Sequence, residues 1–374
     1  MLKDSLIIIP NFSAADQVCD FVWQTARHLA KNNRVFVLNY YESPEASSPH
    51  TDQGVVRVIY HKSILPLRRF ALINRLNKWL YFAWLQLFLT LKYRQAKKRY
   101  IWMFFPELAD LLKAKIVGWQ VIFDIVDYHF SPDEAKMREL EVGKRLLLSR
   151  ADHLFSISKV LQKKYQLLAK RPIHLVPQGF DVTSFAAGRQ ESKLHLPSGK
   201  PLIGFVGQLS ERLDFKLLDG LLAAHPEWNF VFVGPMHHEP NVALDSAADQ
   251  IESLRAHKNF HHLPRQPRAS ILDLLRKFDV CIIPYDVSFA FNRYCYPMKL
   301  FEYFYAGQPI VSTPIEELRR FPDLVSLASD DLAYAQAIKS ALIEPWPREK
   351  AAKQRKLAEG NSWGQKLKQV SEFL

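Results

Sequence analysis

Short apolar runs alternate with helix-spaced stripes twice along this chain, and that rhythm restricts its fold more than any other feature. Residues 6–10 (LIIIP) form a brief apolar run. The next segment, 16–31, spaces Val18, Phe21, Val22, Thr25, Ala26 and Leu29 along one helical face, and 34–40 (RVFVLNY) reads as a second strand. RVIY, a helix over 79–98, RYIWMFF at 99–105, ELADLLKAK and QVIFDIVD at 120–127 continue the pattern. A helix, the strand HLFSIS and another helix follow, and HLVPQGFD at 174–181 closes the series. Strands joined through helices run parallel, so the first half predicts a parallel sheet with helices on its faces. Such sheets bind ligands at the carboxyl ends of their strands.

A second series begins after a polar stretch, 183–200, which has no long apolar period and holds two glycines, marking a linker. PLIGFVGQL at 201–209, an amphipathic helix and NFVFVGP at 229–235 open it, and the alternation runs on to residue 314. The tail reads as two helices broken near Pro345 and Pro347. The 374 residues suit two domains better than one core. A hydrophobic content of 48% and a charged content of 24% exclude a disordered, collagen-like or disulfide-built chain. Cys19, Cys281 and Cys295 show no CxxC spacing, which argues against a structural zinc site and favours a reducing compartment. The opening MLKDSLIIIPNF reads as a first strand and not as a signal peptide.

The formal charge of +12 is concentrated. No acidic residue lies between Asp52 and Glu107, whereas eleven Lys or Arg do. The same stretch contains WLYFAWLQLFLTL at 79–91, too short for the ~20 residues of a spanning helix. Aromatics beside cations suit the surface of an anionic membrane, so residues 62–99 are expected to contact one; the alternative is a buried helix with a solvated basic flank. No nucleic-acid-binding signature accompanies the patch, and no nucleic-acid partner is expected.

Four blocks then narrow the reading: VPQGFDVTSF at 176–185, GFVGQLSERLDFKLL at 204–218, VFVGP at 231–235 and PMKLFEYFYAGQPIVST at 297–313. In this order they resemble the GT-B glycosyltransferases, above all the retaining group 1 (family 4-like) enzymes, and within them the teichuronic-acid and xanthan-type subset, where a segment like FDIVD at 123–127 also occurs. The resemblance is strong over 176–320 and weak over 1–175. It implies an α/β GT-B fold, two Rossmann-like doubly wound domains facing across a cleft. Residues 1–182 would bind the acceptor, 183–200 would link, 201–350 would bind a nucleotide sugar, and the C-terminal helix at 351–374 would pack back toward the first domain. One departure is visible: group 1 enzymes usually have Glu-x7-Glu, and with Glu302 as the second acid the first position holds Tyr294.

The implied reaction moves a sugar from a UDP- or GDP-sugar to a glycan or lipid-linked acceptor in cell-surface polysaccharide synthesis, on the cytoplasmic face of the plasma membrane. The departing nucleoside diphosphate gains charge that cations and helix N-termini stabilise. Lys299, opening the helix through Phe304, is the expected diphosphate ligand, with Arg212 and Lys216 beside the turn at Gly207. Glu302, one turn after Lys299, would bind ribose hydroxyls; the alternative is a surface Lys–Glu pair. Arg265 and Tyr285 are the candidates near the base. On the acceptor side Asp127, ending an apolar strand, is a candidate base with His129 two residues on, unless it caps the following helix. Asp124 falls on the opposite strand face and reads as a structural acceptor. Asp16 in the first loop is a further candidate or an N-cap. No metal site is expected, and no cofactor beyond the nucleotide-sugar co-substrate. Two rival readings remain, a nucleotide-sugar 2-epimerase of the same fold and a non-catalytic donor-binding partner of another transferase.

Overall fold

A computed structural model describes residues 2–11, 20–40, 56–66, 69–187, 195–236 and 245–374. The chain divides into two compact units, the first made of residues up to Gly179 together with Trp363–Leu374, the second of Phe180–Ser362.

In the first unit the chain order is β1 (Ser5–Asn11), α1 (Asp20–Ala30), β2 (Arg34–Asn39), β3 (Val56–Tyr60), α2 (Ala71–Lys92), β4 (Lys98–Met103), a 3-10 segment at Pro106–Ala114 and β5 (Gln120–Ile125). Then come α3 (Glu134–Arg150), β6 (His153–Ser156), α4 (Lys159–Gln166) and β7 (Ile173–Leu175). Every pairing in the sheet is parallel, in the order β3-β2-β1-β4-β5-β6-β7. β1 is buried along its whole length, as a near-continuous apolar run should be in a parallel sheet covered on both faces. Asp133 and Ser158 start α3 and α4 by accepting the amide N–H of Lys136 at 2.8 Å and of Leu161 at 3.2 Å.

In the second unit α5 (Val182–Ala187) precedes β8 (Leu202–Val206), α6 (Phe215–Ala224), β9 (Asn229–Val233), α7 (Asp245–Arg255), β10 (Phe260–Leu263) and α8 (Arg268–Arg276). β11 (Val280–Ile283), α9 (Ala290–Tyr294), α10 (Lys299–Ala306), β12 (Ile310–Ser312), β13 (Ser326–Leu327), α11 (Asp331–Ile343) and α12 (Arg348–Gly360) complete it. Its parallel sheet runs β10-β9-β8-β11-β12-β13. The last helix, α13 (Trp363–Ser371), belongs to the first unit, where Trp363 lies against Gly179: a Cβ there would come within 2.4 Å of the indole.

Three elements differ from the sequence reading. The helix expected over 79–98 spans Ala71–Lys92, because residues from 98 onward pair with β1 and β5 as β4. ELADLLKAK forms 3-10 turns behind Pro106 and not an α-helix. The tail at 351–374 is two helices in different units, parted at Asn361 and Ser362, where Phe180 donates to the Asn361 carbonyl at 2.7 Å. Asp16 lies outside the described residues, as does part of the expected linker, 188–194.

Candidate functional site

In the second unit, β8 and β9 each end in a glycine with positive φ, Gly207 at 153° and Gly234 at 152°. Gly207 donates to the Val233 carbonyl at 2.9 Å. A Cβ on Gly234 would stand 1.9 Å from the Gly207 oxygen, and one on Gly207 would stand 2.6 Å from Lys299 Nζ. Glycine at both positions is what allows the two loops and the lysine to share this strand edge.

Lys299 is buried, 9% exposed. Its ammonium lies 3.5 Å from the centre of the Phe205 ring and 4.8 Å from that of Tyr285, positions where a ring face attracts a cation. The helix that carries it is held to the sheet by Tyr303, whose hydroxyl accepts the Val206 N–H at 3.0 Å. The first turn of α10 is closed by Leu300 N–H to the Pro297 carbonyl at 3.0 Å, so the helix start offers mainly its dipole and Lys299 itself.

Arg212 is brought to the same place. Its guanidinium lies 4.5 Å over Tyr285 and 4.5 Å over Phe291, and Nε donates to Asn292 Oδ1 at 3.0 Å. Asn292 is buried and returns Nδ2 to the Arg212 carbonyl at 3.0 Å and the Asp286 carbonyl at 2.9 Å, fixing side chain and backbone together. Two cations thus share the Tyr285 ring. Burial, and then the Arg212 charge, hold the Lys299 ammonium well below its ordinary lysine range, against the opposing influence of Glu302 and Cys295. A desolvated cation crowded by a second cation is a site that an anion relieves.

Glu302 lies one turn along α10, and its Oε1 is 3.0 Å from an Arg268 nitrogen. The ion pair is therefore with Arg268 at the start of α8 and not with Lys299. Lys216 is exposed on α6 and Arg265 is exposed in the loop after β10; the ring contacts that unite Lys299, Arg212 and Tyr285 do not extend to either. Arg268, Asn292, Phe205 and Phe291 were missed by the sequence reading. Phe205 lies in the block at 204–218 without a polar group to mark it, the other three stand in no motif, and only the fold brings them to Lys299, Arg212 or Glu302.

The first unit arranges its charges differently. Asp124 in β5 is fully buried, and its Oδ2 pairs with Lys366 Nζ of α13 at 2.9 Å; Nζ also donates to Gln178 Oε1 at 2.7 Å. This agrees with a structural role for Asp124. Asp127, just beyond β5, is half-buried and accepts the Tyr128 N–H at 2.8 Å. It does not cap α3, whose cap is Asp133. His129 Nε2 is out of reach of solvent and has no hydrogen-bond partner among the described residues. Burial and then the Lys144 charge push the imidazole down to about 3, against a backbone hydrogen bond at Phe104. Its ring is therefore neutral at ordinary pH. Among the described residues no group of three or more His, Cys, Asp or Glu is placed to hold a metal ion.

Residues 188–356 match the family model of glycosyl transferases group 1, a span that contains Gly207, Arg212, Asn292, Lys299 and Glu302. A protein of Bacillus subtilis (strain 168) named for teichuronic acid biosynthesis, the glycosyltransferase TuaH, is 27% identical over 227 residues, covering 57% of this chain and 55% of that relative. The chain thus matches about half the length of this curated relative. Among solved structures, sucrose-phosphate synthase (tll1590) from Thermosynechococcus elongatus superposes with a TM-score of 0.75 at 16% identity, covering 98% of each chain. Anabaena Alr3699/HepE in complex with UDP gives 0.72 at 13% identity, covering 98% of this chain and 99% of that one. At those identities the structures speak for the fold, and the family model speaks for the second unit. With two parallel doubly wound sheets and the cation cluster inside the matched region, the chain has the GT-B fold, and its residues 188–356 are similar to the group 1 glycosyl transferases.

Proposed function

We propose that the chain transfers a sugar from a nucleotide-sugar donor to a glycan or lipid-linked acceptor, and that the donor diphosphate docks at Lys299 and Arg212. The observation that carries this reading is the buried Lys299 ammonium, seated on Phe205 and Tyr285 beside a second cation. A diphosphate placed there is paired in the ground state. It is held more strongly as the bond to the sugar breaks and negative charge collects on the leaving oxygen, so the contact lowers the barrier as well as binding. The protein's own cations supply this counter-charge, and we expect a chelator to leave the rate unchanged.

Glu302, oriented by Arg268 through one oxygen, keeps its other oxygen for ribose hydroxyls. Uridine is the first nucleoside to test, because the Anabaena protein was solved with UDP and with UDP-glucose. GDP is the second. On the acceptor side Asp127 is the group we assign to proton transfer if the reaction inverts. His129, half-buried and with its ring held neutral, is a neighbour two residues on and a weaker base than Asp127. The relative named for teichuronic acid biosynthesis supports an acceptor belonging to a cell-surface polysaccharide. No described helix is long and apolar enough to cross a membrane, and we place the chain peripherally on the inner face of the plasma membrane, through residues 62–99.

The test is release of UDP from UDP-sugars by the purified chain, with and without a lipid-linked or oligosaccharide acceptor. Acceptor-dependent release with a glycosylated product is expected. Release of an isomerised nucleotide sugar without acceptor, or no turnover of any donor, would contradict the reading.

A further inference from the structure

Unlike an ordinary surface helix, α2 is apolar on its outer face as well as on its inner one. Its inward side buries Tyr81, Phe82, Leu85 and Leu89 together with two amides. Asn77 Oδ1 accepts the Ile64 N–H at 2.9 Å and the Leu65 N–H at 2.6 Å; Gln86 Nε2 donates to the Ala114 carbonyl at 3.0 Å while its Oε1 accepts the Ile116 N–H at 3.1 Å. The outward side is apolar. Leu72, Leu76, Leu80, Trp84 and Phe88 follow one another at four-residue steps, with Leu91 closing the stripe. Leu72 is 74% exposed and Trp84 50% exposed. Trp84 stacks on Phe88 at 5.4 Å, so the aromatic part of the stripe is already ordered.

The rim of this face is cationic. Arg69 precedes the helix, Lys92 ends it and Arg94 follows, all exposed, and no acid occurs in the sequence from Asp52 to Glu107. Arg75 is turned aside to Asp110 at 3.4 Å. Neither water nor a second copy suits this surface. Water meets an apolar stripe that runs from Leu72 to Leu91. In a two-fold pair the same patch would meet itself and set the rim cations against each other.

We propose that α2 lies flat in the headgroup layer of an anionic membrane, with Leu72, Leu76, Leu80, Trp84, Phe88 and Leu91 inserted and Arg69, Lys92 and Arg94 on the lipid charges. This deepens the peripheral placement above, on which it rests, by naming the inserted residues and the lipid charge they meet. The helix binds as an interfacial element, its apolar stripe supplying insertion and its rim supplying attraction to negative lipid.

The test is co-sedimentation of the full chain with phosphatidylcholine vesicles, with and without phosphatidylglycerol. Binding is expected to require phosphatidylglycerol and to weaken with salt. The double variant Leu80→Glu/Trp84→Glu, changed only at exposed positions, should keep its melting temperature and lose about ten-fold or more in partition. Lys92→Ser/Arg94→Ser should lose several-fold, and only on the anionic vesicles. Quenching of tryptophan by brominated lipid should fall in Trp84→Phe. Equal partition of wild type and Leu80→Glu/Trp84→Glu would overturn the proposal. So would a wild-type dimer in light scattering that the same variant dissociates and that binds no vesicles. UDP binding is read separately in solution: a chain that binds UDP but no vesicles sinks this proposal and the peripheral placement and leaves the donor site standing, and one that binds vesicles but no nucleotide sinks the donor site alone.

Discussion

Lys366 in the first unit and Lys299 in the second are both buried, and they face opposite electrostatic situations. Lys366 has the Asp124 carboxylate at 2.9 Å and Gln178 at 2.7 Å, whereas Lys299 has ring faces and the neighbouring Arg212. Burial lowers both ammonium groups, but for Lys366 the Asp124 charge pulls back, and for Lys299 the next largest influence pushes the same way. A buried charge with its partner built in is part of the fold. One without it has been left for a ligand to complete. The same contrast separates a residue that holds α13 to the first unit from one that gives the second unit its chemistry.

Breaking the paired lysine should have the largest effect. Lys366→Met strands Asp124 uncompensated in the core and should cost about 3–5 kcal/mol of stability in urea denaturation. Adding Asp124→Asn should recover most of it. If Lys366→Met were neutral, the pair would not be the fastener described. Next, Lys299→Met should leave stability equal or higher, because it removes a desolvated and repelled cation, yet lower the transfer rate by about 10²–10³-fold. A variant that unfolds instead would place Lys299 in the same class as Lys366 and erase the comparison.

How much of this contrast the sequence carries is uneven. The alternation of strand and helix and the block from Pro297 lead directly to α10 and its lysine, since a short motif sits within one element. Asp124 reads as a structural acceptor from its place in an apolar strand, but nothing local says that it meets Lys366 from the far end of the chain. Arg268 and Asn292 are ordinary residues until α8 and α9 pack beside α10. For α2, Leu and Trp occupy both sides of the helix, so hydrophobicity alone could not tell the inward face from the outward one. The outcome depended on which neighbours covered it. His129 was readable as a histidine beside an acid, but the burial of its Nε2, which keeps the ring neutral, was not.

A smaller effect sharpens the comparison through pH. A lysine whose folded pKa is depressed takes up its proton more readily in the unfolded chain, so its cost is fully present below the folded value and fades as pH rises toward 10.5. The stability of wild type relative to Lys299→Met should therefore improve as pH is raised through that window, and saturating UDP should flatten the slope. A difference independent of pH would mean that Lys299 is not desolvated as described. The smallest expected change belongs to Arg268→Ala. Its pair with Glu302 is half exposed on the arginine side, so a loss of about 1 kcal/mol or less, seen as a rise in donor KM of up to about five-fold with kcat unchanged, is the expectation.

The central claim is that Lys299 awaits an anion that the fold does not supply, and titration calorimetry of UDP into wild type and Lys299→Met tests it most directly. The account predicts binding by wild type, stabilised by about 2.7 kcal/mol at 100 times the dissociation constant, and loss of that binding in a Lys299→Met variant that remains folded. UDP binding of equal strength in both proteins would contradict it.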